Sequence, residues 1–277
     1  MSRISSKELV GQIMASLLHL YSEKEAKSMA YRCLDLGWDC SATDILMEKS
    51  VEISDEWDAK LGRLLSGEPL QYVMGFEFFR DRKLMVSPAT LIPRPETEEL
   101  VIKILPLIEK QHRVLDVGTG SGCIAVTLSV ETDAAIFAWD VSDGALDIAK
   151  NNASLLGAQV SFQRQDIFEW EQTTDTWDFI VSNPPYVLDQ EKSEMSLNVL
   201  DFEPHLALFV PDQDPLKFYQ TLGTFAWSRL NPGGWLAVEI NRAYGLETEK
   251  LFRQIGFSTT ELHQDFNGND RFVLAQK

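Results

Sequence analysis

The stretch Asp116-Val117-Gly118-Thr119-Gly120-Ser121-Gly122 decides the fold of this chain. It ends an apolar run (residues 112–117) that is typical of a buried parallel strand, and a helical pattern (residues 123–130) follows it. Glycine lets the backbone approach a ligand closely, and the first turn of a helix points its amide groups toward that ligand. A tight turn without a ligand would use the same residues, but the pattern on both sides favours a ligand-binding loop.

Strand and helix patterns continue to alternate after this loop. The predicted elements are, in chain order, strand 134–140, helix 142–156, strand 160–164, strand 177–182, helix 215–230, strand 235–240, helix 246–255 and strands 257–262 and 271–275. This alternation predicts an α/β fold in which a doubly wound sheet carries helices on both faces. In such a sheet, ligands bind at the carboxyl ends of the strands, where the strand order reverses.

The spacing of the glycines indicates which nucleotide binds. A dinucleotide-binding loop beginning at Gly118 would need glycine at the position of Cys123. The spacing G-x-G-x-G instead favours S-adenosylmethionine, an amino acid joined to a nucleoside with no pyrophosphate. The predicted cofactor contacts are Asp116, Gly118, Thr119, Gly120, Ser121, Gly122, Asp140, Asp166, Ile167 and Asn183.

The acidic residues in this set have different expected roles. Asp140 ends the second predicted strand, where a carboxylate can accept both ribose hydroxyls; it could instead cap the next helix, a role that Ser142 could also fill. Asp166 follows the third predicted strand, and with Ile167 it could face the adenine amino group and cover the ring. Asp116 could hold the loop itself or the methionine end of the cofactor.

Asn183-Pro184-Pro185-Tyr186 follows the fourth predicted strand and supplies the candidate catalytic residues. Asn-Pro is also a plain turn signal, but a strand end beside the glycine loop favours chemistry. The Asn183 side-chain oxygen and the Pro184 carbonyl can each accept one N–H of a planar NH2 group, and Tyr186 can stack on that group. The prolines fix φ and so preorganise both acceptors. The motif therefore predicts methyl transfer to an amide or amine nitrogen.

The first part of the chain has a different pattern. Residues 1–70 are predicted to form four helices. The first covers 9–18, and the second begins at a capping box of Ser22 and Glu25 and stops at Gly37. The third and fourth cover 44–50 and 55–65. Residues 71–95 are predicted to form a linker in which 72–79 and 83–86 pair as a β-hairpin. Residues 96–277 form the third predicted part. Alone, the helical part carries no chemical motif and would be a docking or oligomerisation module or a structural appendage.

Composition excludes several classes of function. The chain of 277 residues has a formal net charge of -17, which disfavours tight binding to a phosphate backbone. Acidic residues outnumber basic ones from 160 to 202. This stretch is interpreted either as a solvated surface or as a surface that attracts a basic partner. The sequence has no apolar run of about 18 residues and no apolar core of a signal peptide near its start, so we expect a cytoplasmic protein. Its three cysteines and four histidines have no metal-binding spacing, so we expect reduced thiols and no metal site.

Four motifs together resemble the HemK/PrmC proteins, the peptide chain release factor glutamine methyltransferases. They are Leu91-Ile92-Pro93-Arg94-Pro95-Glu96-Thr97-Glu98, Leu115 to Gly122, Val181-Ser182-Asn183-Pro184-Pro185-Tyr186 and Phe202-Glu203-Pro204-His205-Leu206-Ala207-Leu208. They come in the family's order, and the resemblance spans nearly the whole chain. It is weakest over the N-terminal helices. The Pro-Arg-Pro-Glu-Thr segment is more specific than Asn-Pro-Pro-Tyr, which amino-methylases of nucleic acids share.

The resemblance implies a seven-stranded class I methyltransferase domain behind an N-terminal helical substrate-docking domain and a β-hairpin linker. It implies methyl transfer from S-adenosylmethionine to N5 of the glutamine in the Gly-Gly-Gln loop of class 1 release factors, with S-adenosylhomocysteine as product. Two departures stand out: Ile167 lies where the family often has a larger aromatic residue, and Glu239-Ile240-Asn241 replaces Glu-Ile-Gly.

Three other functions share parts of this pattern. An adenine amino-methyltransferase would use Asn-Pro-Pro-Tyr equally well, although the acidic balance disfavours a nucleic acid substrate. A glutamine methyltransferase of a ribosomal protein would differ only in the role of its N-terminal domain. A non-catalytic docking module would not need both complete motifs. Monomeric state is assumed by default.

Overall fold

A computed structural model describes residues 2–54 and 56–277 of the chain. The α-helices are α1 (Ser6–Leu17), α2 (Glu23–Trp38), α3 (Ala42–Leu46), α4 (Glu56–Leu65), α5 (Leu70–Met74), α6 (Pro95–Ile104), α7 (Cys123–Glu131), α8 (Asp143–Leu156), α9 (Leu197–Phe202), α10 (Lys217–Arg229) and α11 (Gly245–Ile255). The strands are β1 (Ser2–Ser5), β2 (Ser50–Ile53), β3 (Phe76–Phe79), β4 (Arg82–Met85), β5 (Arg113–Val117), β6 (Ala135–Asp140), β7 (Val160–Arg164), β8 (Trp177–Ser182), β9 (Val187–Leu188), β10 (Phe209–Val210), β11 (Leu230–Glu239), β12 (Thr259–Gln264) and β13 (Asp270–Gln276). The chain divides into two compact units.

The first unit contains the chain up to Phe76 together with Ser196–Phe202. The predicted capping box begins α2: the Ser22 hydroxyl accepts the Glu25 N–H, and the Glu25 carboxylate accepts the Ser22 N–H over 3.0 Å. Apolar residues of α1 and α2 share one buried cluster with residues of α3, α4 and α5. This cluster gives the unit its own hydrophobic core.

Some predictions for this unit were wrong. The α2 helix passes Gly37 and ends when Asp39 adopts a left-handed conformation (φ 49°). The helix predicted over 44–50 is α3, which ends at Leu46, because Ser50 already belongs to β2. This strand pairs antiparallel with β1, so the region is not purely helical. Asp55, the predicted first residue of the next helix, lies outside the described residues, and α4 is described from Glu56.

The predicted hairpin is shorter than expected. The β-forming residues Tyr72, Val73 and Met74 belong to helix α5, which Pro69 precedes and Gly75 ends at φ 82°. The hairpin is formed by β3 and β4 alone.

The second unit contains Glu77–Met195 and Glu203–Lys277. Its main sheet has seven strands in the order β12-β13-β11-β8-β5-β6-β7. Strands β11, β8, β5, β6 and β7 are parallel, and β13 is antiparallel to both of its neighbours. The predicted α/β fold with a seven-stranded sheet is confirmed. The strand order reverses between β5 and β8, and the glycine loop and Asn183 follow those two strands.

Helices cover both faces of this sheet. Side chains of successive strand residues point to opposite faces, so Val114, Phe179 and Phe272 join one buried cluster while Leu115, Ile180 and Val273 join the other. The first cluster includes residues of α6, α7 and α8. The second includes residues of α10 and α11. The doubly wound arrangement therefore follows from strands that are apolar on both faces.

Candidate cofactor and substrate site

A cavity of about 380 Å³ lies at the carboxyl ends of the central strands. Ten predicted site residues line it: Gly118, Thr119, Gly120, Ser121, Asp140, Asp166, Ile167, Asn183, Pro184 and Pro185. Asp116, Gly122 and Tyr186 lie outside this lining. The sequence motifs thus converge on one place in the second unit, with three predicted residues in its supporting structure.

The strand register explains this convergence. Trp139, Val117, Ser182 and Val238 form one row across four neighbouring strands. The residues that follow them, Asp140, Gly118, Asn183 and Glu239, therefore lie along the same edge of the sheet. The sequence alone assigns no role to Glu239, and the register brings it next to Asn183, at the end of the neighbouring strand β8.

The glycines of the loop have two different functions. Gly118 (φ +73°) and Gly120 (φ +55°) need the left-handed conformation, and a Cβ on either would have no heavy atom of the described residues within 4 Å. Gly122 (φ +80°) is instead packed, because its Cβ would lie 3.1 Å from Cβ of Ala149. The first two glycines leave open space at the cavity, and the third lets α7 approach α8.

Asp116 supports the loop from inside the fold. Its Oδ2 atom accepts hydrogen bonds from the Thr119 hydroxyl (2.6 Å) and the Ala125 N–H (3.2 Å). Its Oδ1 atom is buried and has no hydrogen-bond partner among the residues that the structure describes. Burial raises the pKa of this carboxyl group to about 7.

Asp140 binds the loop from the end of the next strand. Its Oδ2 atom accepts the Gly120 N–H (2.8 Å), and its Oδ1 atom accepts the Ser142 N–H (2.9 Å). Burial raises the pKa of its carboxyl group above the ordinary value, and the backbone hydrogen bonds oppose that shift. The hydroxyl of Ser142 caps α8 by accepting the Ala145 N–H. Since Ser142 supplies the cap, the Asp140 carboxylate remains available at the cavity.

An aromatic pair that the sequence did not reveal lies beside Asp166 and Ile167. Phe168 lines the cavity with Phe218, and their ring centroids are 5.0 Å apart. The Lys217 ammonium lies 4.7 Å from the Phe168 ring centroid. Asp166 accepts the Phe168 N–H through its side chain and so fixes the turn that carries this ring. Aromatic surface is thus present one residue after Ile167, the position at which the sequence departs from the family.

Asn183 is joined to a buried hydrogen-bond network. Its Nδ2 atom donates to the Thr97 hydroxyl (3.0 Å), and that hydroxyl donates to Oε2 of Glu239 (2.7 Å). The Tyr186 hydroxyl donates to Oε1 of the same carboxylate (3.0 Å). Glu239 is only 1% exposed, and burial raises its pKa to about 7. Burial also raises the pKa of Tyr186, so this phenol stays a hydrogen-bond donor.

Asn241, the second departure from the family pattern, supports the same loop. Its Nδ2 atom donates to the Tyr186 carbonyl (3.1 Å) and to the Glu191 carboxylate (2.9 Å), and its Oδ1 atom accepts the Ala243 N–H. A glycine here could make none of these side-chain bonds. Asn241 therefore connects the loop after β8 to the segment containing Glu191.

Pro93 and Arg94 form part of one wall of the cavity, and Pro95 follows them. Arg94 forms an ion pair with Glu203, whose other carboxylate oxygen accepts the Ile92 N–H (3.2 Å). Pro95 is the first residue of α6, so Thr97 lies in the first turn of this helix. Proline suits this position because the first helical N–H has no partner within the helix. The segment thereby fixes the start of the helix that carries Thr97.

Comparison with known proteins identifies the family. The chain is 44% identical to the release factor glutamine methyltransferase of Bacteroides thetaiotaomicron, over 97% of this chain and 99% of that protein. It is 39% identical to the release factor glutamine methyltransferase of Flavobacterium psychrophilum, over 95% of each chain. The chain belongs to the release factor glutamine methyltransferase family. A sequence model of the Methyltransferase small domain also matches residues 96–201 of this family member.

Solved structures support the methyltransferase fold. A methyltransferase from Pyrococcus furiosus superposes with a TM-score of 0.53 at 16% identity, covering 80% of this chain and 98% of that one. The 16S rRNA N2 G1207 methyltransferase of T. thermophilus, solved with AdoMet and guanosine, also gives 0.53 at 16% identity, covering 73% of this chain and 49% of that one. At these identities the likeness concerns the fold alone.

Within residues 2–54 and 56–277, no cluster of three or more His, Cys, Asp or Glu side chains is arranged to hold a metal ion. Over the same described ranges, every helix is too short or too polar to cross a membrane.

Proposed function

We propose that this chain transfers a methyl group from S-adenosylmethionine to N5 of the glutamine in the Gly-Gly-Gln loop of class 1 release factors. The observation that carries the proposal is the hydrogen bond from Asn183 to Thr97. Because this bond turns the NH2 group of Asn183 toward Thr97, the side-chain oxygen lies on the other side of the amide, where it can accept an N–H of the substrate amide. An acceptor at this position suits a carboxamide substrate.

The residues at the cavity fit the proposed cofactor. Gly118 and Gly120 leave open space against the loop backbone, as a ligand in close contact with that backbone requires. Asp140 offers carboxylate lone pairs for the ribose hydroxyls, and Phe168 offers an aromatic surface for a flat ring. When bound, the cofactor supplies an electrophilic methyl group on a sulfonium sulfur.

The substrate amide needs orientation more than it needs a base. A carboxamide nitrogen is a poor nucleophile, because its lone pair is delocalised into the carbonyl. The Asn183 oxygen and the Pro184 carbonyl can each accept one N–H, which aims the nitrogen and favours the positive charge that develops on it. The nitrogen becomes acidic once methylated, so it can lose its proton without a strong base.

The relatives' names and the chain's charge support a protein substrate. Relatives named release factor glutamine methyltransferase match 95–97% of this chain at 39–44% identity. The net charge of -17 opposes a nucleic acid substrate and would favour a basic partner. The proposal includes a cytoplasmic, monomeric enzyme whose first unit docks the release factor. Leu46 and Met47, 75% and 78% exposed, are candidate contacts on that unit.

The test is methyl transfer from labelled S-adenosylmethionine to a purified class 1 release factor. Parallel samples contain the same factor with its Gly-Gly-Gln glutamine replaced, or nucleic acid. We expect label on the intact factor only, and a loss of about a hundredfold or more in kcat with Asn183→Ala. Asn151→Ala, on the exposed side of α8, should keep full activity. Label on nucleic acid and not on the factor would overturn the protein substrate.

A further inference from the structure

We propose that Thr97 and Glu239 act as a hydrogen-bond relay that holds the Asn183 amide in one orientation, and that this orientation makes the site select glutamine over glutamate. The inference rests on the proposed function, because it concerns how the same site recognises its substrate. Thr97 and Glu239 are positioning residues: they act through Asn183.

The direction of the relay follows from what each group can donate. An ionised carboxylate has no hydrogen to donate, so both oxygens of Glu239 accept, one from Thr97 and one from Tyr186. The single hydroxyl hydrogen of Thr97 is then committed to Glu239. Toward Asn183, Thr97 can offer only a lone pair, so the Asn183 NH2 group turns toward it. The Asn183 oxygen therefore faces away from the relay.

This orientation decides which substrate side chain fits. A glutamine amide presents N–H donors, which the Asn183 oxygen accepts. A glutamate carboxylate presents only acceptors, so it would meet another acceptor and be disfavoured. If the relay were cut, Asn183 could rotate by half a turn about its last side-chain bond and present its NH2 group. The reversed amide would accommodate a carboxylate and fail to hold the substrate nitrogen.

Two elements of the fold place the residues of the relay. Glu239 ends β11, whose register with β8 pairs Val238 with Ser182 and so aligns Glu239 with Asn183. Thr97 is 2% exposed and lies in the first turn of α6, whose start is fixed by Pro95 and by the Arg94–Glu203 ion pair. The Pro93-Arg94-Pro95 segment thus serves substrate selection by delivering the Thr97 hydroxyl.

The deciding experiment compares Thr97→Val with Thr97→Ser in the full chain. Valine keeps the shape of threonine but removes the hydroxyl, whereas serine keeps the hydroxyl. We measure kcat and KM for methylation of a class 1 release factor, and the inhibition constant of the same factor carrying glutamate in place of its Gly-Gly-Gln glutamine. Assays at about pH 8 keep Glu239 ionised, since burial raises its pKa to about 7.

We expect Thr97→Val to lower kcat. We also expect it to lower the preference for glutamine, measured as the ratio of the inhibition constant of the glutamate-bearing factor to KM of the intact factor, by about tenfold to a hundredfold. This is the scale of one hydrogen bond to a charged group. Thr97→Ser should restore most of both. A second variant, Glu239→Gln, can donate an N–H to Thr97, which frees the Thr97 hydrogen to point at the Asn183 oxygen. It should narrow the preference even if Thr97→Val does not fold.

Two controls separate the possible failures. Binding of S-adenosylhomocysteine, measured by calorimetry, should stay within about threefold of wild type in every variant, because the hydrogen bonds of the relay join Thr97 and Glu239 to Asn183 and Tyr186 and do not hold the glycine loop or Asp140. An unchanged glutamine preference in Thr97→Val and Glu239→Gln, or a serine variant no better than valine, would overturn the relay while the proposed function stands. A wild-type enzyme that leaves the intact factor unlabelled would instead overturn the proposed function, and the relay's role in selection with it.

Discussion

The hydroxyl of Thr97 donates to the carboxylate of Glu239 over 2.7 Å, although the two residues are 142 positions apart in the chain. Both side chains are at least 98% buried. Thr97 comes from the helix before the first strand of the main sheet, and Glu239 from a strand end near the other end of the chain. Their contact joins these two elements next to Asn183, so the geometry of the loop that begins at Asn183 depends on both α6 and β11 being in place.

Alanine substitutions at Gly120 and at Gly122 should have different effects, the first on cofactor binding and the second on stability. A Cβ on Gly120 would enter open space at the cavity, so Gly120→Ala should weaken S-adenosylhomocysteine binding about tenfold or more and cost about 1 kcal/mol through its positive φ. A Cβ on Gly122 would lie 3.1 Å from Cβ and 3.3 Å from Cα of Ala149, so Gly122→Ala should cost about 2–4 kcal/mol. Urea unfolding and calorimetry measure the two effects. Equal stability losses in the two variants would contradict the distinction.

Asp140→Asn should weaken cofactor binding without changing the affinity for the release factor. In Asp140, each carboxylate oxygen accepts one N–H group, from Gly120 or from Ser142. An asparagine side chain is uncharged and has only one oxygen, so it cannot replace both of these bonds. The loss of charged hydrogen bonds predicts about a tenfold to hundredfold increase in the dissociation constant. Asp143→Asn, whose side chain is 73% exposed, is the matched control and should bind normally. A normal cofactor affinity in Asp140→Asn would remove Asp140 from the binding site.

The sequence predicted the parts of the site that are contiguous in the chain. Gly118 and Asn183 belong to short motifs that each end a predicted strand, and parallel strands bring such ends to one edge of the sheet. Thr97 and Glu239 could not be paired in this way, because their contact depends on the register of β11 and on where α6 begins. Phe218 likewise reaches the cavity from α10, far from any predicted motif.

The errors in secondary structure have similar physical causes. Tyr72 and Val73 favour strands in isolation, but a segment between Pro69 and the left-handed Gly75 forms one helical turn instead. Strand β2 was missed because its pairing partner is β1, almost fifty residues earlier, with register Ser2 to Ile53. Local propensity contains no information about such a distant partner.

Glu203→Gln should destabilise the second unit by about 2 kcal/mol, because it removes the charge from a carboxylate that is 1% exposed and paired with Arg94. Arg94 is 32% exposed, so water can solvate it in part, and the loss should stay below that of a fully buried pair. The matched control is Asp133→Asn, which breaks an ion pair with Lys110 at 72% and 79% exposure and should cost less than about 0.5 kcal/mol. Denaturant unfolding of both variants provides the measurement. Similar small losses in both would show that the Arg94–Glu203 pair does not fix this wall.

The stability of the second unit should fall as pH rises toward neutrality, and Glu239 should contribute to that fall. Burial raises the pKa of Glu239 from 4.5 to about 7, with Glu96 acting in the same direction and Arg271 in the opposite one. Between these two pH values the folded chain retains a proton that the unfolded chain has lost. Since the folded state then binds more protons, the free energy of unfolding decreases with pH across this window, by about 3 kcal/mol for a shift of this size.

Glu239→Gln isolates this contribution, because Asp116, whose pKa burial also raises to about 7, titrates in both proteins. We expect the free energy of unfolding of wild type minus that of Glu239→Gln to decrease from about pH 4.5 to about pH 7 and to stay constant above that. Urea titrations at a series of pH values measure this difference directly. The hydrogen bonds that glutamine loses would shift the whole curve by a constant amount and leave its slope unchanged. A difference that does not vary with pH would mean that Glu239 ionises in the folded protein as easily as in the unfolded chain, and that its negative charge is fully compensated by Thr97, Tyr186 and Arg271.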